Sequence, residues 1–129
     1  MPTDKEDLLR RSYAAFNARE VDTALATMHP DVDWPDMIEG RRIIGRGAVK
    51  RYWLAQFEAI DPRVEPSAFT TRDDDVVAAD VHQVVRTKQG DLVSDQMVEH
   101  VYTFRGGLVA AMDVYVGGKL ASAARTPTP

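Results

Sequence analysis

The segment 92–116, LVSDQMVEHVYTFRGGLVAAMDVYV, decides the predicted fold because it has the pattern of two β-strands joined at Gly106-Gly107. Side chains of alternating character run through its first half, which is the two-residue period of a strand. A glycine pair is typical of a tight turn between antiparallel strands. We therefore predict a β-hairpin with strands at about 92–105 and 108–117.

Two more strands are predicted upstream of this hairpin, at about 63–72 and 76–87. Of the 15 valines, 11 lie at or beyond position 76, and β-branched residues favour a pleated, half-buried surface. The intervening runs 73–75 and 88–91 are rich in aspartate, glycine and other turn formers. Sequential strands with such short links predict an antiparallel meander.

Helices are predicted before the strands. Thr3 and Glu6 have the T-x-x-E spacing of a capping box, so a first helix is expected to begin there. A third helix is expected over 48–60, where apolar residues step by three and four. Helices followed by strands predict the α+β class, with the helices packed on one face of a curved sheet.

The region between these two helices is harder to assign. Asp22 is predicted to cap a short second helix that carries Leu25 and Met28 and ends at His29-Pro30. From 31 to 44 the pattern is irregular, and a proline there indicates an edge strand or a bulge. The first half of the chain is thus expected to be mostly helical.

Length and composition narrow the function. A chain of 129 residues predicts one domain, placed at 1–117, with a poorly ordered tail at 118–129. The chain has no cysteine, which excludes disulfides, thiolate metal sites and a cysteine nucleophile. The net charge of −4 with scattered basic residues gives no nucleic-acid footprint. No membrane-spanning run or signal peptide is evident, so we expect a cytoplasmic protein without membrane partners.

His100 and Asp113 are the polar residues that the strand pattern singles out. His100 shares a face with Val98 and Tyr102, whereas Asp113 has mainly apolar neighbours and therefore needs a partner. They stand six and seven residues from the predicted turn and could face each other. Such a pair could carry chemistry or could be a structural hydrogen bond in the core.

Two other groups of polar residues are weaker candidates. His82 shares a strand face with Asp80 and Arg86, which indicates either a solvated side or a pocket position. The acidic run that begins at Asp31 lacks the ligand and glycine positions of a calcium loop, so no metal site is expected.

The order of features resembles a known fold. The capped helix with LRRSYAAFNA at 9–18, MHPDVDW at 28–34, a turn at Gly45 and TFRGGLV at 103–109 are similar to the nuclear-transport-factor-2-like superfamily, in its SnoaL-like and ketosteroid-isomerase-like branch. The resemblance implies a cone-shaped fold, a curved, mainly antiparallel sheet wrapped around three N-terminal helices. It also implies a deep apolar pocket and a homodimer formed through the outer sheet face.

The resemblance also suggests site residues. The isomerase pattern places its general-base aspartate at Asp36, its tyrosine donor at Ser12 beside Tyr13, and its second donor at His100. The polyketide-cyclase pattern instead implies His100 with Asp113, and the epoxide-hydrolase pattern requires an Asp–Arg–Asp arrangement in the pocket.

The implied function is acid–base isomerisation, cyclisation or dehydration of a small hydrophobic carbonyl compound, with no metal or organic cofactor. A non-catalytic ligand-binding or dimerisation module is the alternative, and epoxide hydrolysis is the third. Six residues are expected to line the ligand pocket: Ser12, Tyr13, Phe16, Trp34, Trp53 and Tyr102.

Overall fold

A curved, open sheet of seven strands with three helices makes up residues 3–125, the part of the chain that the computed structural model describes. This confirms the α+β class. The helices are α1 (Asp4–Asn17), α2 (Val21–Leu25) and α3 (Arg46–Ala59). The strands are β1 (Met28–Asp36), β2 (Arg41–Ile44), β3 (Ile60–Asp73), β4 (Val76–Thr87), β5 (Leu92–Arg105), β6 (Leu108–Val116) and β7 (Lys119–Leu120).

The predicted meander forms most of the sheet. The strand order is β2-β1-β6-β5-β4-β3, with β7 paired to β6. The pairs from β3 to β6 are antiparallel, whereas β1 and β6 are parallel. Long strands with many paired residues make the sheet the frame on which the helices pack.

The first and third helices follow the predicted pattern. The Thr3 hydroxyl accepts a hydrogen bond from the Glu6 backbone N–H at 3.1 Å, which satisfies one of the free donors at the start of α1. Leu9 and Tyr13 are buried on the inner face of α1. In α3 the buried residues are Val49 and Trp53, one helical turn apart. Within the described residues, no helix is long and apolar enough to cross a bilayer.

The region before α3 contains more strand than predicted. Helix α2 ends at Leu25 and its N-cap is Glu20, so Asp22 lies inside its first turn. Met28 instead begins β1, which runs between β2 and β6 rather than at an edge. The pairing of β1 with β6 shifts register between Met28 and Asp33, whereas Pro35, the proline expected to mark an edge or a bulge, pairs with Arg42 of β2.

The C-terminal segment also differs from the expected poorly ordered tail. Lys119–Leu120 forms β7 against β6. Beyond it, the buried Ser122 hydroxyl accepts a hydrogen bond from the Val114 backbone N–H at 3.1 Å. The rest of the predicted tail, 126–129, lies outside the described residues.

Candidate functional site

A cavity of about 270 Å³ lies between helices α1 and α3 and the concave face of the sheet. Its lining within residues 3–125 contains no aspartate, glutamate, lysine or arginine. The mouth is defined by the exposed lining residues Met37, Gln96 and Val116. The helices contribute Ser12, Tyr13, Phe16, Tyr52, Trp53 and Gln56. The strands and their turns contribute Trp34, Pro35, Met37, Pro62, Val64, Gln83, Gln96, Val98, His100, Tyr102, Met112, Val114 and Val116.

The buried polar groups of the cavity form one hydrogen-bonded chain. The Tyr102 hydroxyl donates to the Tyr13 hydroxyl oxygen at 2.7 Å. The Tyr13 hydroxyl lies 2.7 Å from Nδ1 of His100, and the two rings stack with an interplanar angle of 12°. Because Tyr13 accepts the Tyr102 proton, its own proton is available for His100 Nδ1, so the chain is directed from Tyr102 to His100.

Burial fixes the protonation state of His100. Desolvation lowers the pKa of His100 from 6.5 to about 4, so the ring is neutral at pH 7. With Nδ1 accepting from Tyr13, the ring proton is on Nε2. Among the described residues, every side-chain nitrogen or oxygen that is fully buried has a hydrogen-bond partner. Nε2 of His100 has no partner among them, so this atom is not fully buried and retains accessible surface. His100 lines the cavity, and its Nε2–H is therefore a free donor there.

The two tyrosines act as donors rather than bases. Burial raises the pKa of Tyr13 well above its ordinary value and also raises the pKa of Tyr102. Both hydroxyls are therefore protonated at neutral pH, and the tautomer of His100 stays fixed.

Aromatic rings form the walls around this chain. Trp53 contacts Phe16 and Trp34 in edge-to-face geometry, with ring centroids 5.2 and 5.6 Å apart. Ser12 lies beside Tyr13 and its Oγ accepts from the Thr27 hydroxyl at 3.3 Å. The structure thus brings the six sequence-predicted residues together around one cavity: Ser12, Tyr13, Phe16, Trp34, Trp53 and Tyr102.

Asp36 does not line this cavity. Its Oδ1 accepts from the backbone N–H groups of Ile38 and Glu39, at 3.0 and 2.9 Å, and so holds the turn between β1 and β2. The side chain faces a separate surface groove. Among the residues that line the two spaces, Tyr52 is common to both and separates Asp36 from the cavity.

Asp113 lies on the opposite face of the sheet from His100, so the expectation that the two face each other is corrected. The register pairs His100 with Val114 and Asp113 with Val101. A register shift between Thr103 and Phe104 moves the pairing by one residue, and a slip of one residue turns a side chain to the other face.

On that outer face Asp113 belongs to an ionic cluster around Arg42, which the sequence analysis did not identify. Arg42 Nη1 lies 3.1 Å from Asp113 Oδ1, and its Nε lies 2.8 Å from Asp33 Oδ1. Arg125 adds a second cation 3.3 Å from Asp113 Oδ2. This is an Asp–Arg–Asp arrangement, but none of its residues lines the cavity. Arg42 could have been noticed as a charge inside a strand that borders apolar Ile43.

His82 also lies away from the cavity. Its Nε2 contacts Asp95 Oδ1 at 2.6 Å, and both side chains are about half exposed. Gln96, by contrast, was not singled out, although the two-residue period places it on the cavity face with His100.

Comparison with known proteins gives a family and a fold. Residues 9–112 match the model described as a SnoaL-like domain. No curated protein matched the chain.

Solved structures with a similar fold cover most of the chain. TerC, co-crystallised with polyporic acid, has a TM-score of 0.76 and 23% identity over 87% of this chain and 90% of that one. RV0760c from Mycobacterium tuberculosis, in complex with estradiol-17beta-hemisuccinate, has a TM-score of 0.76 and 19% identity over 90% of this chain and 95% of that one. A putative polyketide cyclase from Xanthomonas campestris has a TM-score of 0.74 and 22% identity over 88% and 90%. At these identities the likeness concerns the fold.

Proposed function

The chain belongs to the SnoaL-like domain family, and from this premise we propose that it binds a small, uncharged, hydrophobic carbonyl compound and polarises its carbonyl oxygen. The observation that carries the proposal is the free Nε2–H of a neutral, buried His100 in an otherwise largely apolar cavity. A carbonyl oxygen is the acceptor that such a donor would bind.

Desolvation favours an uncharged ligand in this cavity. A ligand that enters this cavity loses its water, and a charged ligand would find no lining residue of opposite charge among those described. An uncharged carbonyl compound loses less hydration free energy than a charged one and regains one hydrogen bond from His100. Because Tyr13 and Tyr102 hold the donor in place before binding, little reorganisation is needed.

Two of the similar structures support the ligand class. TerC was crystallised with polyporic acid, and RV0760c is in complex with estradiol-17beta-hemisuccinate. These two neighbours support a small hydrophobic molecule as the ligand here. The flat aromatic walls formed by Trp34 and Trp53 suit such a ligand here.

Replacing His100 with phenylalanine is expected to weaken binding of 4-phenylcyclohexanone about three- to tenfold, because one neutral hydrogen bond is lost. Tyr13→Phe is expected to weaken it less, because it removes only the group that orients the ring. Titration calorimetry, or quenching of the cavity tryptophans Trp34 and Trp53, measures the dissociation constant. Asp36→Asn is the control and should bind as the wild type does. Unchanged affinity in His100→Phe would contradict the assigned donor.

Acid–base isomerisation, cyclisation or dehydration is the second candidate function. The polarised carbonyl favours it, because hydrogen bonding to the oxygen makes the adjacent C–H more acidic. The part of the chain that the structure describes places no carboxylate in this cavity, and Asp36 faces a separate groove, so bulk water is the proposed acceptor of the α-proton. Catalysis predicts that the protein exchanges the α-protons of 4-phenylcyclohexanone in D₂O and that His100→Phe does not. A protein that only binds would leave the proton exchange rate unchanged, which NMR measures.

Epoxide hydrolysis has less support. It needs an Asp–Arg–Asp group inside the pocket, and Asp33, Arg42 and Asp113 lie outside the cavity with the guanidinium bonded to protein acceptors.

A homodimer through the outer sheet face is also proposed. Exposed apolar side chains on that face support it, among them Ile44, Val93, Met97 and Leu120, with exposed fractions of 44–60%. Light scattering on the purified protein should give twice the chain mass of 14.4 kDa, and Met97→Glu should give the single mass. A monomeric wild type would overturn this proposal.

A further inference from the structure

We propose that the ligand is elongated and has two polar ends, an acceptor oxygen that meets His100 and a second uncharged polar group that meets Gln83 and Gln96 at the mouth. This inference rests on the proposed function and specifies its ligand class.

Strand β5 runs from the closed end of the cavity to its mouth. His100, Val98 and Gln96 share the cavity face at the two-residue period, and the first two are buried whereas Gln96 is exposed. His100 lies four positions beyond Gln96 on the strand, so their Cα atoms are about 13 Å apart. A ligand that reaches both side chains must therefore be long.

The two glutamines form a pair at the outer end. Gln83 on β4 lies directly opposite Gln96 on β5 in the antiparallel register. Side chains in such positions share a face, with Cβ atoms roughly 5 Å apart. Neither amide has a hydrogen bond to another residue in the range 3–125, although Gln83 is half-buried. Two amides without protein partners thus point to an outer polar subsite.

On the sheet, the lining between these ends is apolar. Val98 lies between His100 and Gln96 on β5, and Val114 and Val116 line the same stretch from β6. A half-buried amide loses hydrogen bonds to water when an apolar ligand covers it. A ligand with a hydroxyl or carbonyl group at its outer end would restore those bonds. The chemistry favoured is therefore an apolar body with an oxygen function at each end.

The experiment compares two ketones that differ in one outer hydroxyl. Calorimetry with the full chain measures binding of 4-(4-hydroxyphenyl)cyclohexanone and of 4-phenylcyclohexanone. The wild type is expected to bind the hydroxylated probe about three- to tenfold tighter, the value of one neutral hydrogen bond. In the Gln83→Leu, Gln96→Leu double variant the ratio is expected to fall to about one, while the affinity for the plain ketone stays equal or rises.

A matched control and a backup variant complete the test. Gln89→Leu makes the same change in the exposed turn between β4 and β5 and should keep the wild-type ratio. If the double variant does not fold, Gln96→Leu alone changes an exposed side chain and should reduce the ratio. Equal wild-type affinities for the two probes would overturn the two-ended ligand and leave the proposed function standing. If neither probe binds, both the two-ended ligand and the proposed function are overturned.

Discussion

Replacing Arg42 with methionine is expected to lower the free energy of unfolding by about 3 kcal/mol, because it removes a buried cation from two largely buried carboxylates, of which only Asp113 keeps a second cation, Arg125. The Arg42 side chain is only 8% exposed. Its guanidinium contacts the Asp33 and Asp113 carboxylates at 2.8 and 3.1 Å. It also donates to the Met112 carbonyl at 2.7 Å. One side chain on β2 thereby ties together β1 and β6, the pair of strands that are furthest apart in sequence.

Urea denaturation of the variant measures this loss. Arg41→Met is the matched control, since that side chain is 67% exposed and lies 3.4 Å from Asp36. The buried Asp36 keeps its hydrogen bonds from the Ile38 and Glu39 backbone when Arg41 is replaced, so the expected loss is about 0–1 kcal/mol. Equal losses in the two variants would contradict a structural role for the Arg42 cluster.

A second variant separates the cost of the carboxylates that lose Arg42 from the cost of the lost packing. Arg42→Met combined with Asp33→Asn and Asp113→Asn removes the cation together with both carboxylates that it contacts. The triple variant is expected to be more stable than Arg42→Met alone, because no buried charge is left without a partner. If the triple variant were less stable, the loss would come from packing and backbone hydrogen bonds instead.

The parts of the fold that were predicted from sequence are those set by local patterns. The Thr3 cap depends on residues three apart, and the faces of β5 follow from a two-residue period. Strand β1 was missed because Met28–Asp36 is held by β6, about 80 residues further along the chain. Two prolines and an irregular apolar pattern gave no local sign of that pairing. A tertiary contact therefore overrode the local pattern.

The residues of the candidate site likewise divide into those that local patterns predicted and those that tertiary structure decided. His100 and Tyr102 share a face by strand period alone, and both line the cavity. Asp113 was misplaced because counting back from Gly106-Gly107 assumes an unbroken hairpin. If the register of Arg105↔Leu108 continued unbroken along the hairpin, Asp113 would lie opposite His100. The register shift between Thr103 and Phe104 places Asp113 opposite Val101 instead. A bulge of one residue has little sequence signal and reverses the assignment of every residue beyond it.

Acidification from pH 6.5 to pH 4 is expected to remove on the order of 3 kcal/mol of stability through His100 alone. The unfolded chain binds a proton near the ordinary histidine pKa of about 6.5. In the folded protein, burial lowers the pKa of His100 to about 4. Between these values the unfolded state carries more protons, so the free energy of unfolding rises with pH through this window and levels off above it.

The contribution of His100 is measured as the difference between wild type and His100→Gln in urea denaturation at several pH values from 4 to 7. Glutamine does not titrate, and its amide oxygen can still accept the Tyr13 proton, so the carboxylates that titrate in both proteins cancel. The wild type should lose more stability than the variant as the pH falls. His82→Gln is the matched control, the same change at a half-exposed histidine outside the cavity, and the difference from wild type should be larger for His100→Gln than for this variant. Parallel pH profiles for wild type and His100→Gln would show that His100 is protonated equally in the folded and unfolded states, which would contradict the lowered pKa of His100.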